Sequence, residues 1–230
     1  MDIAQRLLKV NQRIQQAEKA SNRAAGSVQL LAVSKTKPVE DLLAAIAAEQ
    51  TRFGENYLQE ALEKISALKG QPLEWHFIGP IQSNKTRPIA ENFTWVHSVD
   101  RLKIAQRLND QRPQHLPPLN ICLQVNVDNE ASKSGFNLDE LSQVAKEIAA
   151  LPRLNLRGLM CIPATRSEFE QQRKPFAQLR QAMEQLQQQG LKLDTLSMGM
   201  SGDLEAAVAE GATFVRIGTD IFGARNYPTS

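Results

Sequence analysis

The chain has 230 residues, an apolar fraction of 42% and a formal net charge of +2. This length suits one (β/α)₈ barrel of about 250 residues, and the weak charge, with no run of basic residues, argues against nucleic-acid binding. Cys122 and Cys161 belong to no CxxC pair, so the sequence predicts neither a metal site nor a disulfide framework. Because no signal-peptide pattern or membrane-length apolar stretch occurs, we expect a cytoplasmic protein with no membrane partner.

An amphipathic helix is predicted ahead of the main fold, over residues 1–25. Its apolar residues recur at helical spacing. Asp2 can cap its start, and Gly26 can end it. We expect this helix to pack on a barrel that makes residues 1–230 a single domain.

Short apolar runs then alternate with helical segments. The predicted strands are Val28–Ser34, Arg52–Gly54, Leu73–Ile78, Phe93–Val99, Leu119–Val127, Leu154–Ile162, Asp194–Ser197 and Thr213–Ile217. Each is followed by a predicted helix or turn, and the alternation indicates a parallel sheet with right-handed crossovers. Eight such units favour a closed TIM barrel. The alternative is an open doubly wound sheet, which usually has fewer strands and often a GxGxxG turn that this sequence lacks.

The first candidate for chemistry is Lys35, at the end of the first strand. In this fold the site lies at the carboxyl ends of the strands. Lys35 shares a face with Leu31 and Val33, so it can project over the barrel mouth, where partial burial favours the neutral amine that forms imines. The plainer interpretation is a solvated loop lysine, which we expect for Lys37.

The loops after the seventh and eighth strands predict a phosphate pocket, the usual use of these two loops. Ser201 and Gly202 lie in the first loop, and Gly218 and Thr219 in the second. Glycines allow close backbone approach, and a helix start presents N–H groups. The alternative is that these residues are only helix caps and turns.

Three further polar residues can reach a ligand. Arg216 lies inside the eighth strand and is expected to point into the barrel, where it needs either a carboxylate or a ligand atom as acceptor. Asn56 follows the second strand, and His76 lies in the third. Each can bind a ligand or be a satisfied polar residue of the barrel wall. Lys133 follows the fifth strand and is interpreted as a loop lysine near the mouth.

Longer motifs extend this set over nearly the whole chain. They are LAVSKTKP (31–38), FGENY (53–57), HFIGPIQSNK (76–85), SMGMS (197–201) and VRIGT (215–219). Together they resemble the pyridoxal phosphate homeostasis family (YggS/PROSC), whose barrel is the fold-type III, alanine racemase-like barrel.

The resemblance implies a role for each candidate residue. Lys35 is expected to form an internal imine (a Schiff base) with pyridoxal 5′-phosphate (PLP). Arg216 is expected to face the pyridine nitrogen, with Asn56 and His76 around the ring. The phosphate is expected to be held by the two predicted loops, through Ser201, Gly202, Gly218 and Thr219.

The resemblance also bears on catalysis. An arginine at the ring nitrogen disfavours ring protonation, so the ring is a poorer electron sink than one paired with a carboxylate. Alanine racemases carry an additional C-terminal β-domain and a catalytic tyrosine supplied by their dimer. This chain ends at Ser230, and neither Tyr57 nor Tyr227 has an evident acid–base role, although racemisation needs groups on both faces of the substrate.

We therefore expect no catalytic residue and no enzymatic activity. The expected function is PLP homeostasis: a monomer that buffers PLP or delivers it to PLP-dependent apo-enzymes, and so affects amino-acid and keto-acid metabolism indirectly. The main alternative is an amino-acid racemase-like PLP enzyme. A more distant one is a phosphosugar aldolase or isomerase that uses Lys35. The sequence leaves open whether Lys133 takes a second PLP.

Overall fold

The computed structural model describes residues 1–130 and 133–224. Its parallel strands follow one another around a closed barrel, and the last pairs with the first. They are β1 Gln29–Val33, β2 Arg52–Glu55, β3 Glu74–Phe77, β4 Trp95–Val99, β5 Leu119–Gln124, β6 Leu154–Met160, β7 Thr195–Ser197 and β8 Phe214–Ile217. The predicted (β/α)₈ barrel is confirmed, and the open doubly wound sheet is wrong.

Helices precede and follow these strands. They are α1 Ile3–Ala20, α2 Val39–Ala47, α3 Leu58–Ala67, α4 Thr86–Asn92, α5 Leu102–Gln111, α6 Leu141–Ala149, α7 Phe169–Gln188, α8 Leu204–Ala209 and α9 Thr219–Phe222. The prediction for α1 ran too far, to about Ala25. The helix ends earlier because Asn22 adopts a φ of 52° and the Arg23 N–H turns back to the Glu18 carbonyl at 2.9 Å.

Helix α1 packs against the two helices that follow the last strands. Asp2 caps it as predicted, accepting a hydrogen bond from the Gln5 N–H at 2.8 Å. From its middle, the Arg13 guanidinium donates to Glu205 Oε2 of α8 at 2.7 Å and to Asp220 Oδ2 of α9 at 3.1 Å. The helix therefore braces the segments that begin directly after the β7 and β8 loops.

The apolar core has two parts. The larger part lies between the strands and the surrounding helices. The smaller part fills the barrel and consists of Leu31, Val33, Ile78, Trp95, Cys122, Met160 and Phe214. Cys122 and Cys161 are buried free thiols, which agrees with their apolar sequence surroundings. Within the described ranges, no helix combines the length and apolarity needed to cross a membrane.

Candidate functional site

A cavity of about 250 Å³ opens where the strands end, at the carboxyl side of the barrel. Its lining residues are Val33, Lys35, Lys37, Asn56, Ile78, Ile162, Met200, Ser201, Gly202, Arg216, Gly218, Thr219 and Gly223. The structure therefore brings together all but one of the residues expected to bind a cofactor, and His76 is the exception.

The cavity is cationic. Lys35, Lys37 and Arg216 line it, and no aspartate or glutamate of the described chain is among the lining residues. A concave site with charges of one sign raises the local concentration of ligands of the opposite sign. The site therefore favours an anionic ligand.

Lys35 lies immediately after β1, half-buried, and both of its neighbours are held firmly. The Ser34 hydroxyl donates to Glu55 Oε1 at 2.6 Å, and the Thr36 N–H donates to Glu60 Oε1 at 2.6 Å. Thr36 adopts a φ of 62°, an unfavourable conformation for a β-branched residue that persists only when its surroundings impose it. The segment that carries Lys35 is therefore fixed by contacts on either side.

Lys64 also stabilises the segment that carries Lys35. Its buried ammonium donates to the Ser34 carbonyl at 2.7 Å, to Glu55 Oε1 at 2.8 Å and to Glu60 Oε1 at 2.5 Å, which uses all three of its N–H donors. Burial raises the pKa of Glu55, while the Lys64 charge lowers it, and Glu55 Oε2 has no hydrogen-bond partner. The Lys64 charge therefore offsets the cost of burying the Glu55 carboxylate. Removing Lys64 should alter the position of Lys35, because Lys64 and Glu55 both bind Ser34.

Lys37 is not the solvated lysine that the sequence suggested. Its ammonium donates to the Phe222 carbonyl at 3.0 Å and to the Ala224 carbonyl at 2.9 Å. These carbonyls lie at and beyond the end of α9, where a helix leaves acceptors unsatisfied. Lys37 therefore fastens the end of α9 to the β1 loop.

Arg216 points into the barrel, as its strand position predicted, but its acceptors are neither a carboxylate nor a ligand. One guanidinium nitrogen donates to Ser197 Oγ at 2.8 Å and the other to the Cys161 carbonyl at 2.9 Å. Burial lowers the pKa of Arg216, and the nearby Asp203 acts on it only through its charge. These bonds use two of the five guanidinium N–H donors, so others can serve a ligand in the cavity.

The β7 and β8 loops lie side by side, because β7 and β8 pair. Ser201 and Gly202 from one loop and Gly218 and Thr219 from the other line the cavity. Gly199 brings the β7 loop close to α8. Its φ is 98°, and an added Cβ would lie 2.6 Å from Ala207 Cβ. The arrangement places two turns and the starts of α8 and α9 around one end of the cavity.

Asn56 is held at the cavity wall by the loop after β3. An added Cβ on Gly79 would lie 2.2 Å from the Asn56 carbonyl oxygen, so this approach requires glycine. The side-chain Oδ1 of Asn56 is buried and accepts no hydrogen bond within the described chain. A buried acceptor without a donor is costly, so this atom is suited to a donor on a ligand.

Gly79→Ala should therefore displace Asn56, although Gly79 itself is not among the residues that line the cavity. We expect a loss of about 1–3 kcal/mol in the free energy of unfolding, as for other overpacked positions, because the Asn56 backbone must move. Urea unfolding measures the loss. The matched control is Gly202→Ala, whose added Cβ would meet nothing within 4 Å, and which should leave the unfolding free energy unchanged. Equal stability of the two variants would contradict the close-contact account.

His76 lies deeper than the sequence suggested. Its side chain is fully buried inside the barrel, stacked on Trp95 with a ring-centroid distance of 5.5 Å. Its ring nitrogens contact His97 and Glu74, each at 2.8 Å. His76 therefore does not line the cavity, and its polar atoms are satisfied within the protein.

Several lining residues were not predicted. Ile78, Ile162 and Met200 supply much of the apolar wall. Ile78 lies two residues beyond His76 on the same strand face, so strand alternation identifies it as the residue nearer the mouth. Ile162 and Met200 follow β6 and β7, where the carboxyl-end rule also applies.

Lys133 belongs to a neighbouring cavity of about 350 Å³, which shares Asn56, Ile78 and Ile162 with the first. Its ammonium lies 3.1 Å from Glu130 Oε1 and 3.5 Å from the Ile162 carbonyl. Tyr57 is half exposed and is not among the lining residues of the first cavity. Tyr227 lies outside the described residues.

A family match and individual relatives agree when this sequence is compared with known proteins. The family model for the alanine racemase N-terminal domain matches residues 9–226. A pyridoxal phosphate homeostasis protein from Pseudomonas aeruginosa is 60% identical over 225 residues, which cover 98% of this chain and 96% of that protein. The protein of the same name from Escherichia coli K12 is 53% identical over 229 residues, with 98% of both chains covered.

Solved structures agree with the sequence matches. PipY from Synechococcus elongatus, with PLP bound, superposes with a TM-score of 0.84 at 38% identity, covering 96% of this chain and all of that one. Alanine racemase from Corynebacterium glutamicum gives a TM-score of 0.72 at 17% identity, covering 99% of this chain but 62% of the racemase. The second likeness concerns the fold alone.

Proposed function

We propose, since this chain belongs to the pyridoxal phosphate homeostasis family, that it binds PLP reversibly at the barrel mouth and keeps the cofactor available in the cytoplasm. In this role it buffers PLP or delivers it, as a monomer, to PLP-dependent apo-enzymes. Amino-acid and keto-acid metabolism are then affected indirectly, through the supply of their cofactor.

The observation that carries the proposal is the meeting of Lys35, Arg216 and two turn loops in one cationic cavity. PLP presents an aldehyde, a pyridine nitrogen and a phosphate, and the cavity offers a lysine, an arginine and a pair of loops of the type that hold phosphate in this fold. The buried Asn56 Oδ1, which lacks a donor, fits a ligand that carries a hydroxyl group. The residues present therefore fit the cofactor.

Each residue has a defined task in this proposal. The Lys35 amine condenses with the PLP aldehyde, forming a C=N bond and releasing one water. Ser201 with Gly202 and Gly218 with Thr219 hold the phosphate. Arg216 donates to the pyridine nitrogen, and Asn56 contacts the ring edge.

When bound, PLP withdraws electrons from the carbon attached to its imine nitrogen, and a protonated ring nitrogen strengthens that withdrawal. Arg216 can only donate at this nitrogen, so it disfavours ring protonation. The two lysines that line the cavity, Lys35 and Lys37, both come from the β1 loop. Because racemisation needs proton carriers on both faces of the substrate, this arrangement supports holding rather than turnover.

A transfer experiment tests the proposal. PLP-loaded protein is mixed with the apo form of a PLP-dependent aminotransferase, and recovered transaminase activity is followed beside the visible absorption of the bound cofactor. We expect activity to rise as the absorption of the loaded protein falls. Incubation with L-alanine alone should produce no D-alanine.

The outcomes separate the two candidate functions. Steady formation of D-alanine, lost in Lys35→Ala, would establish the racemase-like alternative. A cofactor that never leaves for the apo-enzyme would contradict delivery. A colourless protein that takes up no added PLP would overturn the cofactor assignment and favour the phosphosugar reaction.

A further inference from the structure

A continuous file of hydrogen-bonded side chains crosses the barrel interior and ends at Arg216. Arg216 donates to Ser197 Oγ at 2.8 Å, and Ser197 Oγ lies 2.7 Å from His97 Nδ1. His97 Nε2 lies 2.8 Å from His76 Nδ1, and His76 Nε2 lies 2.8 Å from Glu74 Oε1. The file joins the cavity wall to the first residue of β3, at the opposite end of the barrel.

With both imidazoles neutral, the two ends of the file fix the direction of every bond in it. An arginine can only donate, and an ionised carboxylate can only accept. The Ser197 hydroxyl therefore accepts from Arg216 and donates to His97 Nδ1. His97 then donates from Nε2 to His76 Nδ1, and His76 donates from Nε2 to Glu74. Both imidazoles are thus assigned as neutral Nε2–H tautomers.

The electrostatic surroundings agree with this assignment. Burial lowers the pKa of both His76 and His97, and the charge of Arg216 lowers that of His97 further. The hydrogen bond from His76 lowers the pKa of Glu74. Two other cations face this end. Arg52 Nε of β2 lies 3.3 Å from Glu74 Oε1, and Arg157 of β6, which is ion-paired with Asp194, interacts with Glu74 through its charge. The histidines stay neutral while Glu74 stays ionised.

Such a file is an unusual filling for a barrel interior that is otherwise apolar. Buried polar groups stabilise a fold less than well-packed apolar groups of similar volume, and a partly satisfied network is worse than none. This network is fully satisfied, and its one ionised acceptor lies remote from the arginine. Arg216 is therefore oriented without a direct carboxylate partner that would occupy the donors facing the cavity.

We propose that Glu74, His76 and His97 are positioning residues, which act through Ser197 to aim the Arg216 guanidinium at the ring nitrogen of the bound cofactor. The proposal rests on the proposed function of PLP binding. It gives His76 an indirect role in the site in place of ring contact. It also makes the half-exposed Glu74, at the far end of the barrel, a determinant of the cofactor's electronic state.

Glu74 offers a graded test, because its side chain is 39% exposed and substitution should not unfold the protein. Glu74→Gln keeps an acceptor for His76. Glu74→Met removes it, and Glu74→Lys replaces it with a donor. Arg52→Met is the matched control, since it removes the surface ion pair and leaves the file intact.

The first readout is the imidazole ¹⁵N spectrum of PLP-free protein labelled at histidine. The chain has three histidines, and the exposed His115 supplies the reference signal. We expect Nε2–H tautomers for His76 and His97 in the wild type, Glu74→Gln and Arg52→Met. Glu74→Lys should convert both to Nδ1–H, because a donor at that end reverses the file. Unchanged tautomers in Glu74→Lys would overturn the assigned direction.

The second readout is the pH profile of the visible absorption of PLP-loaded protein, with the dissociation constant for PLP. We expect Glu74→Met and His97→Phe to shift the midpoint of the profile and to weaken PLP binding about tenfold. Glu74→Gln and Arg52→Met should stay within about twofold of the wild type. Phenylalanine keeps the ring packing of His97 against Trp95 and Phe214, so a thermal midpoint close to wild type would separate positioning from folding.

The outcomes distinguish failure of the positioning role from failure of the proposed PLP-binding function. If wild-type protein takes up no PLP, both fail, and this is seen before any variant is made. If the wild type binds PLP on Lys35 while Glu74→Met and His97→Phe keep its pH profile and affinity, only the positioning role fails.

Discussion

Replacing Lys35 by alanine should abolish the visible absorption of the PLP-loaded protein. The imine requires an amine at the cavity wall, and Lys35 lies there on a segment whose neighbours are fixed. Without that bond only the phosphate and ring contacts remain. We expect affinity for PLP to fall at least about a hundredfold, or about 2.8 kcal/mol, measured by equilibrium dialysis beside the absorption spectrum.

Lys37→Ala is the matched control for this prediction, because it removes a lysine from the same loop. Lys37 binds carbonyl groups at the end of α9, so its loss should leave the absorption band in place. Lys35→Ala should also unfold at nearly the same temperature as the wild type, since Lys35 is half-buried rather than in the core. A band that persists in Lys35→Ala and vanishes in Lys37→Ala would move the anchor to Lys37.

Lys64→Met should destabilise the protein more than Gly79→Ala. Methionine keeps much of the volume but removes the ammonium that satisfies Glu55, Glu60 and the Ser34 carbonyl. Leaving a buried charge without its partner costs about 3–5 kcal/mol, and we expect that loss in urea unfolding at neutral pH. Because the Ser34 and Thr36 contacts depend on the same carboxylates, PLP affinity should fall about tenfold, or 1.4 kcal/mol.

The pH dependence of the unfolding free energy identifies the cause of the stability loss in Lys64→Met. Burial already raises the pKa of Glu55 in the folded protein, and removal of Lys64 should raise it further. For a group whose pKa is higher in the folded state, stability is greatest below the unfolded value and is lost as pH rises through the folded value. The deficit of Lys64→Met should therefore shrink as pH falls. A pH-independent deficit would instead indicate lost packing.

The double variant Glu55→Gln/Lys64→Met provides the control for charge. A neutral amide still accepts from the Ser34 hydroxyl, and no uncompensated carboxylate remains at that position. We expect it to recover most of the stability lost in Lys64→Met. A double variant as unstable as the single one would show that the ammonium, rather than the charge balance, supports the β1 loop.

The barrel and most of the candidate site could be predicted because both depend on local pattern and on one topological rule. Apolar runs alternating with helices indicated the strands, and residues at their carboxyl ends necessarily meet. This rule places Lys35, Asn56 and Arg216 in one cavity although they are far apart in sequence. Strand ends were less accurate: β5 ends at Gln124 rather than Val127, because apolar residues continue into the buried loop that follows.

What the sequence could not supply was depth inside the barrel and the identity of long-range partners. His76 and Ile78 share a face, and alternation places Ile78 nearer the mouth. Only the register between β3 and β4 decides that His76 meets His97. The acceptors of Arg216 come from β7 and the end of β6. No local pattern specifies contacts at such separations, since they follow from barrel closure.

Borohydride reduction of PLP-loaded wild-type protein, followed by peptide mass spectrometry, tests the central claim most directly. Reduction converts an imine to a stable secondary amine on the lysine that formed it. We predict a phosphopyridoxyl group on the peptide containing Lys35, at close to one per chain. Reduced protein without the adduct, or with it only on peptides that lack Lys35, would contradict the account.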